Sequence, residues 1–231
     1  MIKRYSISVS KNLLSKQFQA VVDPEYTPYF NAGPGQKLPI ITSDNPHRVN
    51  LFQWGILPYN AIDSGAAEKL INARAKTIFA KEPFCNLVES KRCIIPADGF
   101  YVWKEQFNVS TPYRVVNYTE DVFSIAGVWD SWRLEEGDTM FGSFTMITRE
   151  ATTDLQEFTE RMPLILNDSE SKIWLNDRVN EDFIQQVLQN PIGQKMKVYK
   201  VTNLVNNLTN NTKKVTKQVN ATMPGETFSL F

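Results

Sequence analysis

The stretch Arg92 to Trp103, RCIIPADGFYVW, constrains the fold more than any other segment. A short apolar strand runs into a bend at Pro96 and Asp98-Gly99, and a second strand carries Phe100, Tyr101 and Trp103. A proline and an Asp-Gly pair between β-patterned runs dictate a corner. Such corners commonly wall a binding cleft, and here Val102 stands between the two aromatics where an ionisable group would do chemistry.

Short strands dominate the rest. Alternating or apolar β-patterns occur in RYSISVS, KLPIITS, VNLFQWGIL, PYRVVNY, VFSIAGVWDSW, SFTMITR, RMPLIL and MKVYKVT. Helical composition appears over 66–80 and from Glu82-Pro83 to Glu89, with Pro83 in the first turn. Thr152 or Thr153 is placed to cap a short helix over DLQEF, Ser169 precedes ESKIWL, and Asn180 precedes EDFIQQVLQ. The Asn- and Lys-rich segment from Asn206 onward reads as loop, weakly ordered towards Phe231. With no linker, charge block or repeat, the expectation is one α+β domain over 1–219 with a tail at 220–231. Its sheet is expected to be curved, mainly antiparallel and barrel-like, flanked by short helices.

Composition narrows the chemistry. The 231 residues carry 25 basic and 25 acidic side chains, so no global positive field points to nucleic acid, although a local basic groove is compatible with neutrality. The opening MIKRYSISVSK lacks the apolar run of a signal peptide, and no stretch resembles a membrane span. Two cysteines, Cys85 and Cys93, make no disulfide framework, and the expected location is cytoplasmic. The triplets Asn207-Leu208-Thr209 and Asn210-Asn211-Thr212 are then chance sequons. His47 is the only histidine and reads as a solvated loop residue, which leaves a zinc centre or a Ser-His-Asp triad without its parts. No metal and no cofactor are expected, and the chain reads as a monomer.

Seven blocks now become informative together: FQWGILP, LINARAKTIF, RCIIPADGFYVW, YRVV with SIAGVWDSW, FTMITREA, RMPLILN and KVTNLVNN. Their order resembles that of the SOS-response-associated peptidase (SRAP) family, over nearly the whole chain. The resemblance implies processing of abasic sites in single-stranded DNA. In that family the initiator methionine is removed, and an N-terminal cysteine attacks the abasic aldehyde with its amine and thiol, giving a thiazolidine crosslink. An Asn of the NAR block, a Glu of the GFYEW block and a His before the RMP block assist, while arginines and tryptophan hold the strand.

Transferred to this chain, the pattern divides. The family cysteine corresponds to Ile2, the glutamate to Val102, and the histidine to Thr159 in EFTERMP. Asn72 is retained, and so are the DNA-holding candidates Arg4, Arg74, Arg161, Trp54 and Trp103. Ile2 has no heteroatom to close a ring, Val102 can neither give nor take a proton, and Thr159 does not titrate near neutrality. A large second residue also predicts that Met1 stays. The expectation is therefore an abasic-DNA binder without a stable crosslink, its free α-amine limited to a reversible imine. Two alternatives stand beside it: an active enzyme with another nucleophile or a different natural start, and a protein-interaction module that keeps only the fold.

Several residues have plainer readings. Arg4 on a strand reads equally as the partner of a surface acid, and Trp54 and Trp103 as core aromatics. Cys93 reads as an inert core thiol, Trp129, Trp132 and Trp174 as packing, and Glu135, Glu136 and Asp138 as a solvated loop. Pro96, Asp98 and Gly99 read as corner residues only.

Overall fold

A computed structural model of the chain describes residues 1–56, 70–133, 140–189 and 195–219. The tail beyond 219 and the acidic loop with Glu135, Glu136 and Asp138 lie outside the described residues, as does the side chain of Trp132. The strands are β1 (Tyr5–Ile7), β2 (Val21–Val22), β3 (Tyr29–Ala32), β4 (Lys37–Thr42), β5 (Asn45–Trp54), β6 (Asn72–Arg74), β7 (Arg92–Ala97), β8 (Gly99–Gln106), β9 (Val109–Asn117), β10 (Phe123–Arg133), β11 (Met140–Glu150), β12 (Arg161–Pro163), β13 (Ile165–Leu166) and β14 (Met196–Lys200). The α-helices are α1 (Lys11–Phe18), α2 (Phe84–Ser90), α3 (Asp168–Leu175) and α4 (Glu181–Gln189).

Strands β11, β10, β7, β4 and β5 form a ring that closes when β5 pairs back onto β11. An odd ring cannot be antiparallel at every seam. The one parallel seam is β5–β11, with Ser143 opposite Gln53 and Phe144 opposite Trp54. Large aromatics fill it: the rings of Trp54 and Phe144 stack with centroids 6.4 Å apart, and Tyr5 meets Trp54 edge-on at 5.2 Å. A second sheet, in the order β14-β9-β8-β1-β3, leans on this barrel. The α+β architecture with a curved, mainly antiparallel sheet is thus as expected.

The two sheets are continuous through the corner that the sequence marks. β7 belongs to the barrel, β8 to the second sheet, and only Asp98 lies between them. Asp98 is more than a turn former. Its buried carboxylate accepts from Ser6 Oγ at 2.5 Å, from Ser8 N at 2.6 Å and Ser8 Oγ at 2.5 Å, and from Arg114 Nη2 at 2.9 Å. Gly99 is needed for that geometry, since a Cβ there would lie 2.8 Å from Arg114 Nε. Arg114 also donates to Tyr199 Oη at 2.7 Å, which draws β14 into the same knot.

Local expectations fare unevenly. Helix α4 forms over EDFIQQVLQ with Asn180 Oδ1 accepting from Phe183 N, as the cap predicts. Helix α3 forms too, but Asn167 caps it, in a capping box with Glu170. Pro83 precedes α2 and is not inside its first turn. The segment over 70–80 is not one helix: β6 comes first, then a 3-10 helix, Ala75–Ala80, because residues 72–74 pair with β11. DLQEF forms turns in place of a helix. Helix α1 and strand β3 have no strong apolar period and went unread; Ser10 caps α1 by accepting from Leu13 N.

Beyond Asn206 the chain to residue 219 is loop and turns with one short 3-10 helix, and the end towards Phe231, expected to be weakly ordered, lies outside the described residues. The 3-10 helices Asn203–Asn206 and Lys213–Thr216 pack on the second sheet through Val205 and Val215, both buried. Asn31 Nδ2 donates to the carbonyls of Val205, Asn207 and Asn210, and Asn211 Oδ1 accepts from the backbone of Phe30 and Asn31. Asparagines here satisfy backbone groups that no strand ladder reaches.

His47 is exposed as expected, but it sits on β5 and not in a loop. Cys93 is a core thiol, held well above its ordinary pKa by burial. Trp174 is fully buried and Trp129 nearly so. Among the described residues no helix is long and apolar enough to cross a membrane.

Removing the carboxylate should test the knot. Asp98→Ala leaves Arg114 buried without its partner, and urea unfolding is expected to show a loss of about 3–5 kcal/mol. An unchanged midpoint would mean that the corner holds without the ion pair.

Candidate functional site

The site begins with the start of the chain. β1 lies between β3 and β8, and Tyr5 is locked into the core, so residues 1–4 are directed out of the sheet towards β6 and β12. There Asn72 Nδ2 donates to the carbonyl of Ile2 at 2.7 Å. The Ile2 side chain is 1% exposed and belongs to the main core. Val102, 3% exposed on β8, belongs to the same core. Two of the three substituted positions are therefore packing positions here, dry and without a heteroatom.

Thr159, the third, is half-buried. Its hydroxyl donates to the Arg161 carbonyl at 2.9 Å and accepts from Arg161 N, so it closes a small turn. Beside it, β6 and β12 flank β11, which brings Arg74 opposite Thr148 and Arg161 opposite Glu150. The Arg161 guanidinium is fixed by Thr148: Nη2 donates to its carbonyl at 2.7 Å, and Nε and Nη2 to its hydroxyl at 3.2 and 3.0 Å. Burial, then the nearby charge of Arg74, lowers the Arg161 pKa. A guanidinium held by neutral oxygens and facing a like charge keeps its attraction for an anion.

Two clefts take their linings from neighbouring positions of the chain, one from Arg161 and the other from Thr159 and Glu160. One, of about 660 Å³, is lined by Arg74, Lys76, Thr77, Arg149, Arg161 and the α4 residues Gln185 and Gln189, among others. The other, of about 770 Å³, contains Met1, Lys3, Arg4, Trp103, Lys104 and Thr159. The α-amine of Met1 has its pKa lowered by burial, then by Arg161 and Lys3, with Arg74 contributing and Glu160 opposing. Among the described residues neither cleft is lined by a cysteine, and no group of three or more His, Cys, Asp or Glu is gathered as for a metal.

The retained residues separate in the fold. Asn72, Arg74 and Arg161 come together around β11, while Arg4 and Trp103 share the cleft of Met1. Arg4 makes no ion pair among the described residues; Nη1 donates to the Lys3 carbonyl at 3.1 Å, and burial lowers its pKa. The pairing with a surface acid that its sequence context allows is not what forms. Trp103 is half-buried, with Nε1 donating to Asn206 Oδ1 at 2.8 Å. Trp54 departs from its role as a DNA-stacking surface: it is fully buried in the barrel seam, with Nε1 on the Ile71 carbonyl at 2.9 Å. Sequence reasoning missed Arg149, Lys76, Lys3 and Lys104. Their signal was present, since Lys76 and Arg149 lie inside the recognised blocks, but a lone basic residue has no pattern until strands align it.

The Asn72 contact carries a test. Asn72→Ala removes the bond that positions residue 2, worth about 1 kcal/mol. Faster amide exchange confined to residues 2–4, with the barrel strands unchanged, is the expected result.

Comparison with known proteins agrees with this architecture. The family model described as SOS response associated peptidase (SRAP) matches residues 1–208. The chain is 34% identical over 212 residues to the abasic site processing protein YoqW of Bacillus subtilis, covering 89% of this chain and 94% of that one. It is 36% identical over 191 residues to YobE of the same organism, 81% of this chain and 87% of that one. The chicken (Gallus gallus) abasic site processing protein HMCES is 28% identical over 183 residues, and the match spans 54% of its length. A crystal structure of a protein from Bacteroides thetaiotaomicron superposes with a TM-score of 0.83 at 26% identity, over 94% of this chain and 99% of that one. The chain is a member of the SRAP family.

Proposed function

We propose that this protein binds abasic sites in single-stranded DNA along these two clefts and forms no stable crosslink there. The observation that carries the reading is the Met1 end of the chain: it lies in a cleft of mixed charge, where Lys3, Arg4 and Lys104 stand beside Glu105, Glu157 and Glu160, yet the residue that Asn72 holds in the nucleophile's position is a buried isoleucine. The names of the relatives supply the lesion. Arg74 and Arg161 supply the phosphate grip, with Arg149 and Lys76 extending the same wall. Forked guanidinium groups suit phosphate oxygens, a contact that is blind to sequence.

With Met1 as the first residue, its α-amine is the nucleophile closest to the position that Asn72 fixes, with the amines of Lys3 and Lys104 lining the same cleft. The neutral α-amine adds to the aldehyde carbon of the ring-opened sugar, loses water and gives an imine. In a thiol-bearing relative the sulfur would then add to the imine carbon and close a ring. Ile2 offers no such atom, so water returns and the imine hydrolyses. Val102 contributes no carboxyl group from the position that the family's glutamate takes, and Thr159 spends its hydroxyl on the backbone.

A denaturing gel decides the chemistry. Incubated with an abasic single-stranded oligonucleotide, the protein is expected to give a covalent band only when cyanoborohydride is present. A persistent band without reductant would overturn the reading. Because the amine pKa lies below its ordinary 8.0, the neutral form persists to lower pH, and trapping should reach half its maximum below pH 8.0. Arg161→Gln removes a positive neighbour and should move that midpoint upward. Binding is tested separately: Arg74→Ala and Arg161→Ala should each weaken affinity for all sequences alike and flatten the salt slope by about 0.7. Affinity indifferent to both changes would exclude this groove.

A further inference from the structure

The hairpin joining β8 and β9 has a feature that the fold does not explain. Its ladder runs Trp103–Pro112, Lys104–Thr111, Glu105–Ser110 and Gln106–Val109, and then turns through Phe107 and Asn108. Both turn residues have positive φ, 49° and 61°. A two-residue turn of this hand favours Asn and Gly, and Asn108 obeys; a bulky aromatic in the left-handed region is disfavoured. Phe107 gains no packing in exchange, for it is 90% exposed, and Val109 beside it is 61% exposed.

The hairpin is also a wall of the Met1 cleft. Trp103, Lys104, Glu105 and Ser110 line it, and the Glu105–Ser110 rung is closed by Ser110 Oγ donating to Glu105 Oε1 at 2.6 Å. Its base is braced from below: Lys104 Nζ reaches Glu157 at 3.0 Å and lies over the Phe158 ring, which packs on Tyr113 with centroids 4.8 Å apart. The ring of Phe107 therefore stands about 7 Å, two residues of strand rise, beyond the last rung lining the cleft. It is held there by a stiff two-stranded arm.

We propose that Phe107 is a base-stacking residue, placed to receive an unpaired nucleobase of the strand whose sugar and phosphates occupy the cleft. The inference rests on the single-stranded-DNA reading above. The occupant follows from continuity: the aromatic stands two residues beyond a cleft lined by Trp103, by Lys3 and Arg4, which make no ion pair among the described residues, and by Lys104 paired with Glu157, with Glu105 and Glu160 at the same cleft. A base next to a missing base has lost one stacking partner, and an exposed aromatic face replaces it whatever the base's identity.

Phe107→Asn gives the test a signature that a structural role would not produce. Asn suits the turn, so the variant should melt at a higher temperature, yet bind more weakly. Fluorescence anisotropy with a single-stranded oligonucleotide holding a tetrahydrofuran abasic analogue is expected to show about a tenfold loss of affinity, within the range for one stacked base. Phe107→Trp should retain it. A 2-aminopurine beside the analogue should be quenched by the parent chain and by Phe107→Trp, not by Phe107→Asn. If Phe107→Asn binds as the parent does while Arg74→Ala does not, the stacking role is overturned and the cleft reading stands. If the parent chain binds no single strand, both fall. Self-association abolished by Phe107→Asn with DNA affinity unchanged would make the tip a protein contact and overturn the proposal.

Discussion

The carboxylate of Asp98 is the constraint on which the placement of the site depends. A chain passing from a closed barrel into a second sheet must turn within one residue, and the backbone groups at such a corner lose their ladder partners. Asp98 answers this by taking four hydrogen bonds, three from Ser6 and Ser8 around β1 and one from Arg114 on β9. The first residues of the chain are thereby tied to the corner, and the Met1 end emerges between β6 and β12. Burying such a pair stabilises little beyond its desolvation cost; what it confers is one register for three segments distant in sequence.

That geometry gives the substituted positions their meaning. Ile2 and Val102 are not polar groups lost from a wet pocket, because both now complete a core that runs beneath the cleft. The cleft surface is composed of residues on other elements: guanidinium groups on β6, β11 and β12, lysines from the chain's start and the hairpin, and one half-buried tryptophan. The positions of Ile2 and Val102 and the side chains that line the clefts thus reside in different layers of the fold, and aliphatic side chains in a buried layer leave no unmet hydrogen bonds.

Legibility followed the range of the interactions. The corner at Pro96 to Gly99, most of the strands and helix α4 were readable because period, cap and turn chemistry are local. DLQEF and the 70–80 segment misled for one reason: their composition suits a helix, while pairing with β11 or a tight return of the chain sets their conformation. The asparagines after Asn206 show no pattern in sequence, and only the approach to β3 makes Asn211 an acceptor for the backbone of Phe30 and Asn31, while Asn31 donates to carbonyls of the segment. For the site, the ordered blocks brought forward Asn72, Arg74 and Arg161. Trp54 was assigned to the surface on the same resemblance, and three-dimensional packing places it in the seam of the barrel.

By itself the sequence determined the class of fold, the family, the corner, and the absence of a sulfur, acid or imidazole at Ile2, Val102 and Thr159; each is a matter of residue identity or short-range spacing. The tertiary structure decided which arginines share a wall, that the α-amine of Met1 lies near Arg161 and Arg74, and that Phe107 stands exposed at a hairpin tip. Those facts depend on strand register between segments far apart in the chain, where closure of the barrel and the Asp98 knot select one pairing out of many that local patterns allow.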